Sequence, residues 1–268
     1  MIILKYRKLP LPEATYSFQI TKFAGMKQIS ANRIKELRKL QQKKYRNESG
    51  LFIAEGEKMV GEALQSDFKV VETFRLEEIG AEAMSRISSF STPSPVLAVV
   101  EQKHYRAEDV AFTGQGLFLG LCGVRDPGNL GTIIRISDWF GIDAVFCSHD
   151  CVDLYNPKTV QSTMGALFRR KIIYCDIPDI IARARSESFP VFGTFLDGSN
   201  MYRTELPAGA LVLLGNESNG IPDEIGNLLG NGERLLIPPY PSDARSSESL
   251  NVATAASIIC AEFRRPLF

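Results

Sequence analysis

The chain has 268 residues, with 31 lysines and arginines against 31 aspartates and glutamates, 44% hydrophobic residues and five cysteines. That length can bury one large core or two modest ones, and no apolar run approaches the roughly 18 residues of a membrane helix. Three basic side chains among the first eight residues stand where a signal peptide needs its apolar stretch, and the odd cysteine count has no framework spacing, so the expectation is a reducing, cytoplasmic setting.

Residues 1–25 lack helical period and contain Leu9-Pro-Leu-Pro12; they read either as an appended arm or as sequence before a true start at Met26. Residues 1–50 hold 12 Lys and Arg against 3 Asp and Glu, offset by an acidic remainder. Such asymmetry fits a polyanionic partner held through one region, and equally a solvated helix face. A helix is predicted from Ser30, capped by Ser30 or Asn32, with Ile34, Leu37 and Leu40 one turn apart. Strands are predicted at 51–54, 68–74 and 94–100, with helix at 55–64 and helix then loop at 75–88. This alternation gives a small α/β domain. Residues 101–116 are polar and read as a linker.

Further strands are predicted at 117–122, 144–147, 171–174, 191–195, 210–214 and 234–237. Helices are predicted at 130–140, 157–168, 177–186, 222–229 and about 250–264. Strands alternating with helices imply a mostly parallel sheet covered on both faces.

Three strand ends carry small residues beside polar side chains. The first is Arg125-Asp-Pro-Gly-Asn129-Leu-Gly-Thr-Ile-Ile-Arg135, where Pro-Gly signals a turn and Asn129 can cap the next helix. The second is Leu214-Gly-Asn-Glu217-Ser-Asn-Gly-Ile221, two glycines bracketing a carboxylate. The third is Leu236-Ile-Pro238 with Ser249-Leu-Asn251-Val252, in which Ser249 can cap and Asn251 can follow in the first turn. Taken singly, each is also an ordinary turn and cap. Together, at the carboxyl ends of parallel strands, they predict one composite site. No Walker loop and no Gly-x-Gly-x-x-Gly is present. Cys147-Ser-His149-Asp-Cys151 invites a metal reading, but three ligands so close together with no fourth in view favour a structural or incidental role, and with His104 as the other histidine a Ser–His–Asp mechanism has almost nothing to work with. Cys122 and Trp139 read as core residues.

As a set, the three corners resemble the motifs of the SpoU (TrmH-like) family of RNA ribose 2′-O-methyltransferases, within the SPOUT class. Asn156-Pro-Lys-Thr-Val160 through Gly165-Ala-Leu167 is similar to the family's mid-domain helix. The resemblance covers about residues 117–265, and residues 27–100 resemble the small substrate-binding domain often found before it. It implies an α/β fold with a C-terminal trefoil knot, S-adenosyl-L-methionine as methyl donor, no metal, and an active site completed in a homodimer. The domains expected are an extension at 1–25, an RNA substrate-binding domain at 26–104 and a methyltransferase domain at 105–268. By position, Gly215, Ile237 and Leu250 match cofactor contacts. Asn129, Arg135, Glu217, Ser249 and Asn251 match catalytic positions, Glu217 being one that often bonds the partner chain. Residues 239–248 make a longer, less glycine-rich loop than is usual, and Ala253-Thr254 replaces a commoner Ser-Val pair.

The implied reaction is methylation of a ribose 2′-hydroxyl in structured RNA, with ribosomal RNA ranked before transfer RNA and a catalytically silent RNA-binding dimer as the rival. The family assigns the hydroxyl's proton to arginine. A guanidinium holds its own proton too firmly for that, so Arg135 is read as binding the neighbouring phosphate and orienting the ribose, with Asn129 and Ser249 supplying hydrogen bonds.

Overall fold

A computed structural model describes residues 29–241 and 249–267. The expectations for residues 1–25 and for most of the 239–248 loop lie outside the described residues.

The chain opens with α1 (Ala31–Lys39), where Ser30 is the cap, accepting from Arg33 N at 3.1 Å. Ile34, Leu37 and Leu40 are buried, while Lys35 and Arg38 stay in solvent. α2 (Lys43–Ser49) ends at Gly50, whose φ of 67° suits glycine. Next come β1 (Leu51–Glu55), α3 (Glu57–Gln65), β2 (Val70–Arg75), α4 (Leu76–Ile79), α5 (Ala81–Ile87) and β3 (Val96–Glu101). The three strands form an antiparallel sheet in the order β1-β3-β2. Alternation along β3 serves two cores. Leu97 and Val99 join the cluster under α1 and α5, whereas Val96, Ala98 and Val100 join a cluster that continues into the second half of the chain.

The second half contains β4 (Leu117–Leu121), α6 (Pro127–Trp139), β5 (Ala144–Cys147), α7 (Pro157–Ser162), β6 (Ile172–Tyr174), α8 (Ile177–Ser186), β7 (Val191–Asn200), β8 (Ala210–Leu214), α9 (Asp223–Gly226), β9 (Arg234–Leu236) and α10 (Val252–Arg264). The six strands form one sheet, ordered β6-β5-β4-β8-β7-β9, and every pair is parallel. Its central strands β4, β5 and β8 are buried along their whole length because both faces are covered there. Leu117, Leu119 and Leu121 meet α6 and α10, while Phe118 meets the side of α8 and α9. Strand order reverses at β4: the chain winds outward through β5 and β6, then returns to build β7, β8 and β9 on the other flank. The carboxyl ends of β4 and β8 therefore bound a crevice at a topological switch point, where open α/β sheets bind ligands.

Several sequence expectations change. The predicted helix at 157–168 stops at Ser162, because Met164 and Gly165 take φ of 52° and 94° and a short 3-10 turn follows. Residues 75–88 form two short helices, and 222–229 holds only α9. Trp139 is 65% exposed rather than core. The buried face of α6 carries Leu130, Ile133, Ile134 and Ser137, so Trp139, four residues after Arg135, shares the outward face with it. Phase on the helix outweighs apolar character. Cys122 is buried, as expected, and burial pushes its thiol up to about 12.

Among the described residues no helix is long and apolar enough to cross a membrane.

Candidate functional site

A cleft of about 430 Å³ opens at the carboxyl ends of β7, β8 and β9 and is closed by the start of α10. Gly215, Ile237 and Leu250, expected to contact the cofactor, line it, as do Glu217 and Ser249. Asn216 pairs with Gly220 across the second-corner loop. Gly215 has no room for a side chain: a Cβ would lie 2.1 Å from Gly220 C and 2.3 Å from Ile221 N. The turn closes on itself only because that position is bare.

At the cleft mouth the three corners are joined by side-chain hydrogen bonds. Asn251 caps α10, its Oδ1 accepting from Ala253 N at 3.0 Å and Thr254 N at 3.2 Å. Asn251, and not Ser249, is thus the cap, since its short amide reaches both free N–H groups of the first turn. With Oδ1 so occupied, Asn251 Nδ2 donates to Asn129 Oδ1 at 2.9 Å. That in turn fixes the Asn129 amide, whose Nδ2 donates to Glu217 Oε1 at 2.8 Å. Asn216 Nδ2 bonds Glu217 Oε2 at 3.3 Å and Gly123 O at 2.6 Å, returning the line to the first corner. Glu217 here bonds residues of its own chain.

Asn129 is not the cap of α6. Asp126 is, accepting from Asn129 N at 2.8 Å with Pro127 in the first turn. A carboxylate at that place complements the helix dipole, and it frees the Asn129 side chain for Glu217. Arg135 stands apart from the network. It is exposed on the outer face of α6, with no hydrogen bond or ion pair to another described residue.

The Cys147–Cys151 segment braces the first corner. Ser148 Oγ accepts from Gly123 N at 2.8 Å, Cys151 Sγ accepts from Val124 N at 3.3 Å, and Val152 N donates to Val124 O at 2.9 Å. A bond with the Cys147 thiol, aided by Ser148 and backbone N–H groups, draws the Cys151 thiol down to about 7. Among the described residues no group of three or more His, Cys, Asp or Glu side chains could hold a metal ion.

Sequence reading missed Asn216 as the hub of the second corner, although it stands beside Glu217. It also missed the wall made by Thr194, Phe195 and Leu196, which no motif marks.

Among the described lining residues Glu217 is the one ionisable side chain. The described lining therefore suits a ligand that offers apolar surface and positive charge.

Comparison with known proteins agrees with this geometry. The SpoU rRNA Methylase family matches residues 116–261, and an MRM3-like substrate binding domain matches residues 31–105. The 23S rRNA (guanosine(2553)-2′-O)-methyltransferase RlmP of Bacillus subtilis is 31% identical, across 89% of this chain and 100% of its own length. The AdoMet-bound rRNA methyltransferase of Sinorhizobium meliloti superposes with a TM-score of 0.80 at 31% identity, covering 90% of this chain and 97% of that one. The SpoU methyltransferase AviRb of Streptomyces viridochromogenes, solved with AdoMet, shares the fold at a TM-score of 0.78 and 22% identity, over 89% and 98% of the two chains.

Proposed function

The chain belongs to the SpoU rRNA methylase family, and from that premise we propose that it transfers a methyl group from S-adenosylmethionine to a ribose 2′-hydroxyl of ribosomal RNA. The observation that carries this reading is the Asn251–Asn129–Glu217 line, which draws all three corners to the mouth of one cleft.

The residues present fit the cofactor. The cleft's volume of about 430 Å³ is that of a small-molecule site, its walls are largely backbone and aliphatic side chain, and its ionisable group is a carboxylate. Gly215, Ile237 and Leu250 would hold the cofactor, which supplies an electrophilic methyl on a positively charged sulfonium.

The chain's own residues then position and polarise. The Asn129 amide is fixed in both directions by Asn251 and Glu217, so it meets a ribose without reorganising. Ser249 stands on the lining and can bond the same sugar. Glu217, held by Asn129 and Asn216, places negative charge beside the cationic donor. Arg135 binds the phosphate next to the target ribose and orients it bidentately. Membership of the family supports a homodimer in which the second copy completes the active site. Residues 26–104 form the RNA-binding domain, residues 105–268 the knotted methyltransferase domain, and residues 1–25 an extension. The working place is the cytoplasm.

The test is to map 2′-O-methylation in RNA from cells with and without the protein. One ribosomal ribose is expected to lose its methyl group. Loss confined to a transfer RNA moves the substrate, and no change in any RNA, with no S-adenosylmethionine binding by calorimetry, leaves the silent dimer.

A further inference from the structure

Strand β7 leaves its ladder with β9 for four residues. Gly193 and Thr194 pair with Arg234 and Leu235, and pairing resumes only at Ser199, again opposite Leu235. The excursion is Phe195-Leu-Asp-Gly198, and its first two residues wall the cleft. Leu196 is 73% exposed, so burial does not hold it in place.

A single side chain holds the first and third residues of the excursion. The Arg234 guanidinium carbon lies 3.6 Å from the Phe195 ring centroid, and Arg234 Nη2 reaches Asp197 Oδ1 at 2.8 Å and Oδ2 at 3.1 Å. The ring sits in a slot cleared by glycines: a Cβ on Gly193 would lie 2.7 Å from Phe195 Cε2, and one on Gly226 would lie 3.3 Å from Cε1. At the far end, a Cβ on Gly198 would meet Leu235 C at 2.7 Å and Arg234 O at 2.8 Å, so the chain rejoins β9 only through a bare residue. The flat guanidinium face lies on the ring while Nη2 alone reaches both carboxylate oxygens; a lysine ammonium is a point charge that can make either contact but not both at once.

We propose that Arg234, outside the cleft, is a positioning residue for S-adenosylmethionine: by clamping Phe195 and Asp197 it sets the Phe195–Leu196 wall against which the cofactor rests. This role rests on the cofactor reading above. It predicts an effect on cofactor affinity alone, because Arg234 touches neither the Asn251–Asn129–Glu217 line nor the basic helices of the first domain.

The experiment is calorimetric titration of S-adenosylmethionine into the full chain and into Arg234→Lys, Arg234→Ala and Asp197→Ala. The parent binds. Arg234→Ala binds about tenfold more weakly, as loss of a stacked, partly desolvated cation implies, and Arg234→Lys and Asp197→Ala, each able to keep one of the two contacts, fall between it and the parent. In turnover assays the KM for S-adenosylmethionine rises as affinity falls, while kcat at saturating cofactor and RNA affinity stay at parent values. Folded Arg234 variants with parent affinity overturn the positioning role and leave the cofactor reading standing. Absence of binding by the parent overturns the cofactor reading and the positioning role with it. Where Arg234→Ala does not fold, Asp197→Ala, altered at an exposed carboxylate, decides in the same way: weaker binding supports the clamp and parent affinity overturns it.

Discussion

Arg46 Nη2 lies 2.5 Å from Asp153 Oδ2, and this ion pair joins α2 of the first domain to the segment that braces the first corner of the cleft. Arg46 is 2% exposed, and its Nη1 also donates to Leu40 O and Gln41 O. Around it Phe52 packs against Tyr155 with ring centroids 4.5 Å apart and the planes tilted by 37°, and the Tyr155 hydroxyl bonds both Lys103 N and Lys103 O. The two domains share one core rather than meeting through a tether. Breaking a buried pair from one side leaves an uncompensated charge, so Asp153→Ala should cost about 3 kcal/mol. Urea denaturation should show a lower midpoint and one transition for both domains; two separate transitions would contradict the shared core.

Asn129→Ala removes the central amide of the line joining the three corners. Methyl transfer to RNA should fall about a hundredfold, the scale set by one preorganised donor. Calorimetric affinity for S-adenosylmethionine should change little, since Asn129 does not line the cleft.

Arg135→Lys keeps the charge and loses the fork. At an exposed position without described partners it should leave the melting temperature unchanged. The methylation rate should drop about tenfold as the bidentate grip on phosphate is removed. A parent rate would remove Arg135 from the reaction.

Gly215→Ala places a methyl where a Cβ would lie 2.1 Å from backbone. Neither side can yield without moving the loop, so a cost of about 2 kcal/mol in stability is expected. Cofactor binding should fall below calorimetric detection while the far-ultraviolet circular dichroism stays that of the parent.

RNA affinity should fall steeply with salt, because the exposed cations Lys35, Arg38, Lys43 and Lys44 stand along α1 and α2. Replacing all four by glutamine should flatten the slope of log affinity against log salt by about three to four, at roughly 0.9 for each phosphate no longer neutralised. An unchanged slope would place the RNA elsewhere.

Much of the fold was legible in the sequence because it is written in local period. Apolar runs bounded by turn residues located the strands, and a one-turn repeat placed Ile34, Leu37 and Leu40 in a core. The three corners were legible as a set, since strand ends followed by glycine and asparagine mark where a parallel sheet binds. What failed was whatever depends on phase or on a distant neighbour. Trp139 read as core by its residue type and proved exposed by its place on α6. Asn129 read as a cap, but Asp126 took that place and left its amide for Glu217, 88 residues away. Arg234, Phe195 and Asp197 carry no motif, and their grip exists only because β9 lies beside β7. The sequence by itself determined the elements, their order and the identity of the corner residues, because backbone propensity and burial pattern act within a few residues. The tertiary structure alone decided which amide faces which carboxylate and what fixes the cleft wall. Those pairings span tens of residues and depend on strand order, which local patterning does not encode.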